Sequence, residues 1–118
     1  MRKIYHLASC STCQRIIKEL KLDEAKFEFQ DIKTENITPA QLEEMHAKTG
    51  SYEALFSKRA MKYREWNLGA KDLTEADIKD LILKEYTILK RPVIWVDDQL
   101  FVGNTAKVIA AAKEAIAR

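Results

Sequence analysis

The stretch RKIYHLASCSTCQRIIKEL, residues 2–20, decides the predicted fold of this chain. Its aliphatic and aromatic start predicts a short strand over residues 2–7. A helix is predicted next, because apolar side chains and one cysteine recur at the i, i+3, i+4, i+7 spacing of a face that packs on a sheet: Cys13, Ile16, Ile17 and Leu20. Cys10 and Cys13 therefore fall where a strand passes into the first turn of a helix.

A second strand follows this helix. Residues 26–30, Lys-Phe-Glu-Phe-Gln, alternate polar and apolar side chains with the period of two that a strand requires. Strand, helix and strand within about thirty residues form a βαβ unit, whose crossover is right-handed and whose two strands are parallel in nearly all proteins.

The middle of the chain is predicted to be a helical insertion over residues of about 37–86. Residues 38–41, Thr-Pro-Ala-Gln, have the pattern of a capping box with proline at the first helical position. Thr74 caps a later helix, which is predicted to run to about residue 85 with Tyr86 extending its apolar face.

The last third of the chain returns to strands. The apolar run at residues 93–96 predicts a buried strand, residues 100–102 its hairpin partner, and the segment after Thr105 a last amphipathic helix. We therefore predict one α/β domain over residues 1–118, built from a βαβ unit, the helical insertion, a ββ hairpin and a C-terminal helix around a mixed four-stranded sheet.

Composition excludes several classes of protein. The 20 Lys and Arg residues against 18 Asp and Glu residues leave a net charge of +2, too small to indicate direct binding to nucleic acid. Charged residues interrupt every apolar stretch before the roughly 18 residues of a membrane helix are reached, so no membrane contact is expected. The N-terminus lacks the apolar centre of a signal peptide, which favours a cytoplasmic protein.

The Cys10 and Cys13 pair carries the predicted chemistry. Unpaired backbone N–H groups and the helix dipole converge at the predicted position of Cys10 and would stabilise its thiolate, the nucleophilic form of cysteine. Cys13, one turn further on, would then be the resolving thiol that closes a disulfide. Two alternatives remain: a zinc site completed by His6 and His46, or two thiols that only pack in the core. No metal is expected, because the chain offers no second ligand pair at metal spacing.

A proline adds a second indication. Pro92 lies directly before the predicted buried strand, where a cis peptide bond is plausible, and in a thioredoxin-type fold that bond lies beside the dithiol. Pro92 is therefore predicted to be a structural cis-proline.

Three features together resemble a known family: Tyr5-His6 followed by Cys10, the hairpin introduced by Lys90-Arg91-Pro92-Val93-Ile94, and the helical insertion. They resemble the arsenate reductase (ArsC)-like family, which includes the Spx regulators and YffB-type proteins, over essentially the full length. The resemblance implies a thioredoxin-like fold with a helical insertion, in agreement with the predicted order of elements.

The resemblance also implies roles for single residues. Cys10 matches the nucleophile, His6 a histidine that helps to keep that thiol ionised, and Arg91 an arginine of the oxyanion site, with Ser11 and Thr12 as further anion-binding candidates. Two other arginines of the family's arsenate site are replaced by Ser57 and Gly103, with Lys58 or Arg59 as neighbouring substitutes. An alternative for Arg91 is an ion pair with Asp97 or Asp98.

The expected function is that of a thiol-dependent oxidoreductase which reduces arsenate, another oxyanion or a thiol substrate. No bound cofactor is expected, and glutathione or glutaredoxin is the candidate reductant. The alternative is an Spx-like redox-sensing regulator that binds the C-terminal domain of the RNA polymerase α subunit; against it, the chain ends directly after the last predicted helix, without the extension of Spx proteins. A glutaredoxin-like enzyme that acts on protein disulfides is a third class.

Overall fold

The computed structural model describes residues 1–118, and the chain forms two compact units. The first unit comprises Met1–Glu35 and Arg91–Arg118 and contains every β-strand. The second unit, Asn36–Lys90, is the helical insertion, a few residues longer than the sequence predicts. No helix in either unit is both long enough and apolar enough to cross a bilayer.

The first unit is built on a mixed four-stranded sheet. Its strands are β1 (Arg2–His6), β2 (Glu28–Asp31), β3 (Val93–Val96) and β4 (Gln99–Val102), in the order β2-β1-β3-β4. β1 pairs with β2 in parallel and with β3 antiparallel, and β3 and β4 form the hairpin. The predicted α/β class, the parallel first pair and the hairpin are therefore confirmed.

Two helices of this unit, α1 (Ser11–Glu19) and α5 (Ala106–Ala117), supply the side chains that cover one face of the sheet. The alternation along each strand places Ile4 of β1 opposite Ile94 of β3, and both side chains are buried. They join one apolar cluster with further residues of β3, of the two helices, of the C-cap of α1 and of the turn before β2: Val96, Ile16, Ile109, Ala112, Ala115, Leu20 and Phe27. The cluster anchors α1, and with it the segment that carries both cysteines.

The start of β2 corrects the predicted strand at residues 26–30. The backbone N–H groups of Lys26 and Phe27 both donate to the carbonyl of Asp23, at 2.8 Å each, so these residues form a turn and β2 begins at Glu28. Phe27 is nevertheless buried in the apolar cluster. The alternation of side chains was a poor guide here because a turn residue can also fill a core position.

The second unit contains α2 (Pro39–Thr49), α3 (Met61–Glu65) and α4 (Glu75–Lys84). Short 3₁₀ turns join them, at Glu53–Leu55, Leu68–Ala70 and Tyr86–Ile88. The buried side chains of this unit are mostly aliphatic and include Leu42, Met45, Leu55, Ile82 and Ile88.

Capping explains where α2 begins and ends. The Thr38 hydroxyl accepts from the Gln41 N–H at 3.1 Å, and the Gln41 side chain accepts from the Thr38 N–H at 3.0 Å, which is the predicted capping box. Gly50 ends the helix with φ of 81°, a left-handed conformation that costs glycine little.

α4 ends at Lys84, close to the predicted end at about residue 85, but Tyr86 lies beyond the helix and does not extend its apolar face. Glu85 is extended, with φ of −132° and ψ of 112°, and its carboxylate accepts from the backbone N–H of Thr87 at 3.2 Å. This side-chain cap starts a separate 3₁₀ turn at Tyr86, so α4 ends at Lys84.

Candidate functional site

Cys10 lies at the N-cap of α1, immediately before the helix begins at Ser11. Its N–H donates to the Leu7 carbonyl at 2.9 Å, and its carbonyl accepts from the Gln14 N–H at 3.1 Å. The residue is half-buried and its thiol is free. The tight turn after β1 therefore holds Cys10 where the first N–H groups of the helix point outward.

Cys13 lies one helical turn further on and is 0% exposed. Its backbone N–H donates to the sulfur of Cys10, and the two thiols also hydrogen-bond to each other. The sulfur of Cys13 in turn accepts from the backbone N–H of Leu7. The two sulfurs are thus adjacent, one reachable from solvent and the other enclosed.

The pKa values of the two thiols are shifted in opposite directions. Burial alone would raise the pKa of Cys10, but the Cys13 N–H, the Cys13 thiol and the guanidinium of Arg91 outweigh it, so the pKa lies below the ordinary value. For Cys13, burial and the neighbouring Cys10 charge raise the pKa to about 11. As the pH rises, Cys10 therefore ionises before Cys13.

Arg91 and Pro92 reach this site from the start of β3. The Arg91–Pro92 peptide bond is cis, and Pro92 is buried. The Arg91 side chain hydrogen-bonds the sulfur of Cys10 and places a positive charge beside it. Asp97, the alternative partner for Arg91, forms an ion pair with Arg2 instead, with Nε to Oδ1 at 3.5 Å.

His6 lies at the end of β1, in register with Asp31 of β2. Its ring packs edge-on against Phe29, with centroids 5.5 Å apart. Burial lowers the pKa of His6 despite the opposing influence of Asp31 and Glu24, so the imidazole is neutral at pH 7. The largest influences on Cys10 come from burial, Cys13 and Arg91, and a role of His6 in ionising that thiol stays a prediction.

Ser11 and Thr12 form the first turn of α1 between the two cysteines. Ser11 is exposed and Thr12 is half-buried. Both directly follow Cys10 in the chain, and their part in binding an anion stays a prediction.

Gly103 and Ser57 occupy the positions where the resemblance places two arginines. Gly103 follows β4 with φ of 93°, and its N–H donates to the Pro92 carbonyl at 2.9 Å. No atom lies within 4 Å of the place that a Cβ of Gly103 would take. Ser57 belongs to the second unit, where its N–H donates to the Ile88 carbonyl at 2.7 Å.

Gln14 is a residue that the sequence analysis missed. Its side-chain amide donates to the carbonyl of Ala8 and so ties the first turn of α1 to the segment that precedes Cys10. The sequence carries no signal for this contact, because it depends on the rotamer of the Gln14 side chain. No group of three His, Cys, Asp or Glu side chains is placed to hold a metal ion.

Comparison with known proteins begins with a family model. The model described as the ArsC family matches residues 5–112. The global transcriptional regulator Spx of Lactiplantibacillus plantarum is 24% identical over 101 residues, which cover 85% of this chain and 76% of that protein.

Solved structures extend the comparison. An ArsC family related protein from Bacteroides fragilis superposes with a TM-score of 0.80 at 21% identity, covering 97% of this chain and 96% of the other. An arsenate reductase from Vibrio cholerae gives a TM-score of 0.69 at 20% identity, covering 93% and 95% of the two chains. These likenesses confirm the predicted thioredoxin-like α/β fold.

Proposed function

The chain belongs to the ArsC family, and from this premise we propose that it is a thiol-dependent oxidoreductase with Cys10 as nucleophile and Cys13 as resolving thiol. One observation carries the proposal: two adjacent thiols whose pKa values are shifted in opposite directions. Two cysteines that only pack in the core do not require different pKa values. A nucleophilic cysteine reacts as the thiolate, whereas a resolving cysteine stays protonated until the mixed disulfide has formed.

The reaction begins at the half-buried sulfur of Cys10. Its thiolate attacks an oxidised group of the substrate and forms a covalent bond to it, while the bond to the leaving group breaks: a thiolate leaves from a disulfide, and water or hydroxide leaves from an oxyanion. The Cys10 sulfur is then bonded to the substrate and no longer carries a negative charge. Because the Cys10 charge is one cause of the high pKa of Cys13, its loss makes Cys13 easier to deprotonate at this point.

Cys13 completes the reaction by attacking the sulfur of Cys10. The product is a Cys10–Cys13 disulfide and a reduced substrate. An external thiol returns the protein to the dithiol, and glutathione or a glutaredoxin is the reductant that we propose. External attack falls on Cys10, because Cys13 is enclosed.

Single-cysteine variants test this division of roles. In a buffer of reduced and oxidised glutathione, the wild-type protein should form one intramolecular disulfide. Cys13→Ser should stop at a mixed disulfide on Cys10, and Cys10→Ser should form neither, as measured by mass spectrometry of acid-quenched samples. Reaction of Cys10→Ser at the wild-type rate would contradict the mechanism.

A second candidate is a redox-sensing regulator, and the similarity to the Spx of Lactiplantibacillus plantarum favours it. In this case the Cys10–Cys13 pair would control contact with the C-terminal domain of the RNA polymerase α subunit. A pull-down with that domain, in the oxidised and the reduced state, decides the question. Binding in one state only supports the regulator, and no binding in either state rejects it.

A further inference from the structure

Gln14 contacts the segment before α1 through both its side chain and its backbone. The side-chain amide donates to the Ala8 carbonyl, and the backbone N–H donates to the Cys10 carbonyl at 3.1 Å. Ala8 and the following Ser9 are exposed, and the chain forms no other hydrogen bond to either residue. The Gln14 side chain is therefore the only hydrogen-bonding group that ties this part of the turn to the helix.

Leu7, the residue before Ala8, contacts both cysteines through its backbone. Its N–H donates to the sulfur of Cys13, and its carbonyl accepts from the Cys10 N–H at 2.9 Å. Only the φ and ψ angles of Leu7 and Ala8 separate the Leu7 N–H from the Ala8 carbonyl, because the peptide units between them are planar. A group that holds the Ala8 carbonyl therefore also restricts the direction of the Leu7 N–H.

From these contacts we propose that Gln14 is a positioning residue for Cys13. By holding the Ala8 carbonyl, the Gln14 side chain keeps the Leu7 N–H against the Cys13 sulfur, and it thereby sets the rate at which Cys13 closes the disulfide with Cys10. The inference rests on the proposed dithiol mechanism and adds a residue to its second step. Such a step depends strongly on alignment, since a displacement of about 1 Å can slow a reaction by as much as about a hundredfold.

The step starts from the mixed disulfide that glutathione disulfide forms with Cys10. Cys13 loses its proton, and its thiolate attacks the sulfur of Cys10. The bond between the two cysteines forms while the bond between Cys10 and glutathione breaks, and the released glutathione thiolate takes up the proton. Over both steps the protein dithiol is oxidised to a disulfide, and glutathione disulfide is reduced to glutathione.

Single-turnover oxidation separates this step from the first one. The reduced protein is mixed with glutathione disulfide and quenched with acid at intervals, and the dithiol, the mixed disulfide and the intramolecular disulfide are quantified by mass spectrometry. Gln14→Met keeps the length of the side chain but removes its N–H donors, whereas Gln14→Lys keeps an N–H donor of similar reach. Thr38→Ala is the matched control, because it removes a single hydrogen bond in the second unit.

Closure of the disulfide in Gln14→Met should slow by about three- to tenfold, and the mixed disulfide should accumulate. Formation of the mixed disulfide should change by less than about twofold, because Cys13 and Arg91 still hydrogen-bond the Cys10 sulfur. Gln14→Lys should recover most of the closure rate, and Thr38→Ala should close at the wild-type rate. A side chain that only stabilised the fold would not slow the second step selectively.

Closure at the wild-type rate in Gln14→Met would overturn the inference, and so would equal slowing in Gln14→Met and Thr38→Ala. A Gln14→Lys variant as slow as Gln14→Met would likewise reject the hydrogen bond as the cause. These three results leave the dithiol mechanism in place. If the wild-type protein forms no disulfide between Cys10 and Cys13, the proposed function itself is rejected.

Discussion

Cys10 and Cys13 show how position alone differentiates two identical side chains. Cys10 stands before the first turn of α1, where an N–H group and a guanidinium meet its sulfur. Cys13 is turned into the core by the same helix and loses contact with solvent. The helix thus provides both the activation of one thiol and the protection of the other.

The first prediction concerns the charge of Arg91. Arg91→Gln removes the cation that favours the thiolate, so the pKa of Cys10 should rise and the ionised fraction at pH 7 should fall. We expect alkylation of Cys10 at pH 7 to slow by roughly three- to tenfold, because one pKa unit corresponds to a tenfold change in thiolate. The measurement is the rate of iodoacetamide reaction between pH 5 and 10.

Two further variants control for structural effects of that change. Arg91→Lys keeps a positive charge and should recover part of the rate. Lys18→Gln removes an exposed charge of α1 and should leave the pH profile unchanged. An unaltered profile in Arg91→Gln would show that Arg91 does not act on the Cys10 sulfur.

At the scale of the element, the turn between β1 and α1 depends on Gln14. Its side chain holds the Ala8 carbonyl from an exposed position on the helix. Gln14→Ala should lower the free energy of unfolding by about 0.5–1.5 kcal/mol, the usual contribution of one hydrogen bond. Urea denaturation measures the loss, and Lys18→Ala on the same helix serves as the matched control. Equal stability of Gln14→Ala and Lys18→Ala would contradict the assignment.

The capping box of α2 gives an independent test in the helical insertion. Thr38→Ala removes the hydroxyl that accepts from the Gln41 N–H and should destabilise the protein by about 1 kcal/mol. Thr38→Ser keeps that hydroxyl and should retain most of the stability. The stability of both variants is measured from the helical circular dichroism signal as a function of urea concentration. If Thr38→Ser is as unstable as Thr38→Ala, capping is not the cause of the loss.

For the molecule as a whole, the apolar cluster between the sheet and its two helices holds the first unit together. Ile94 of β3 is 1% exposed within this cluster. Ile94→Ala should cost about 2–5 kcal/mol, because it leaves a cavity in a packed core. Lys113→Ala, on the exposed side of α5, should change the midpoint of urea unfolding very little. A small loss for Ile94→Ala would mean that the cluster is loosely packed.

The order of elements was predictable because each rests on a local pattern. Spacing of apolar residues predicted α1, and the Thr38 box predicted α2. The start of β2 was not predictable from the sequence. Phe27 fills a core position from a turn, and only the hydrogen bonds to the Asp23 carbonyl show that turn. The Tyr86 turn was missed for a similar reason, because a Glu85 side-chain bond ended α4.

In the candidate site too, features set by local spacing were predictable, and contacts between side chains were not. The positions of Cys10 and Cys13 on one helical turn were evident from their spacing. The contact of Arg91 with Cys10 joins residues that are 81 positions apart in the sequence (91 − 10), and only the resemblance indicated it. The Gln14 contact requires a rotamer that no sequence pattern specifies.

The measurement that tests the central claim most directly is the alkylation of each cysteine as a function of pH, resolved by peptide mass mapping. Cys10 should react with an inflection below the ordinary value of a thiol, and Cys13 should stay unreactive until the pH approaches about 11. A common inflection for both thiols at the ordinary value would contradict the assignment of Cys10 as nucleophile and Cys13 as resolving thiol.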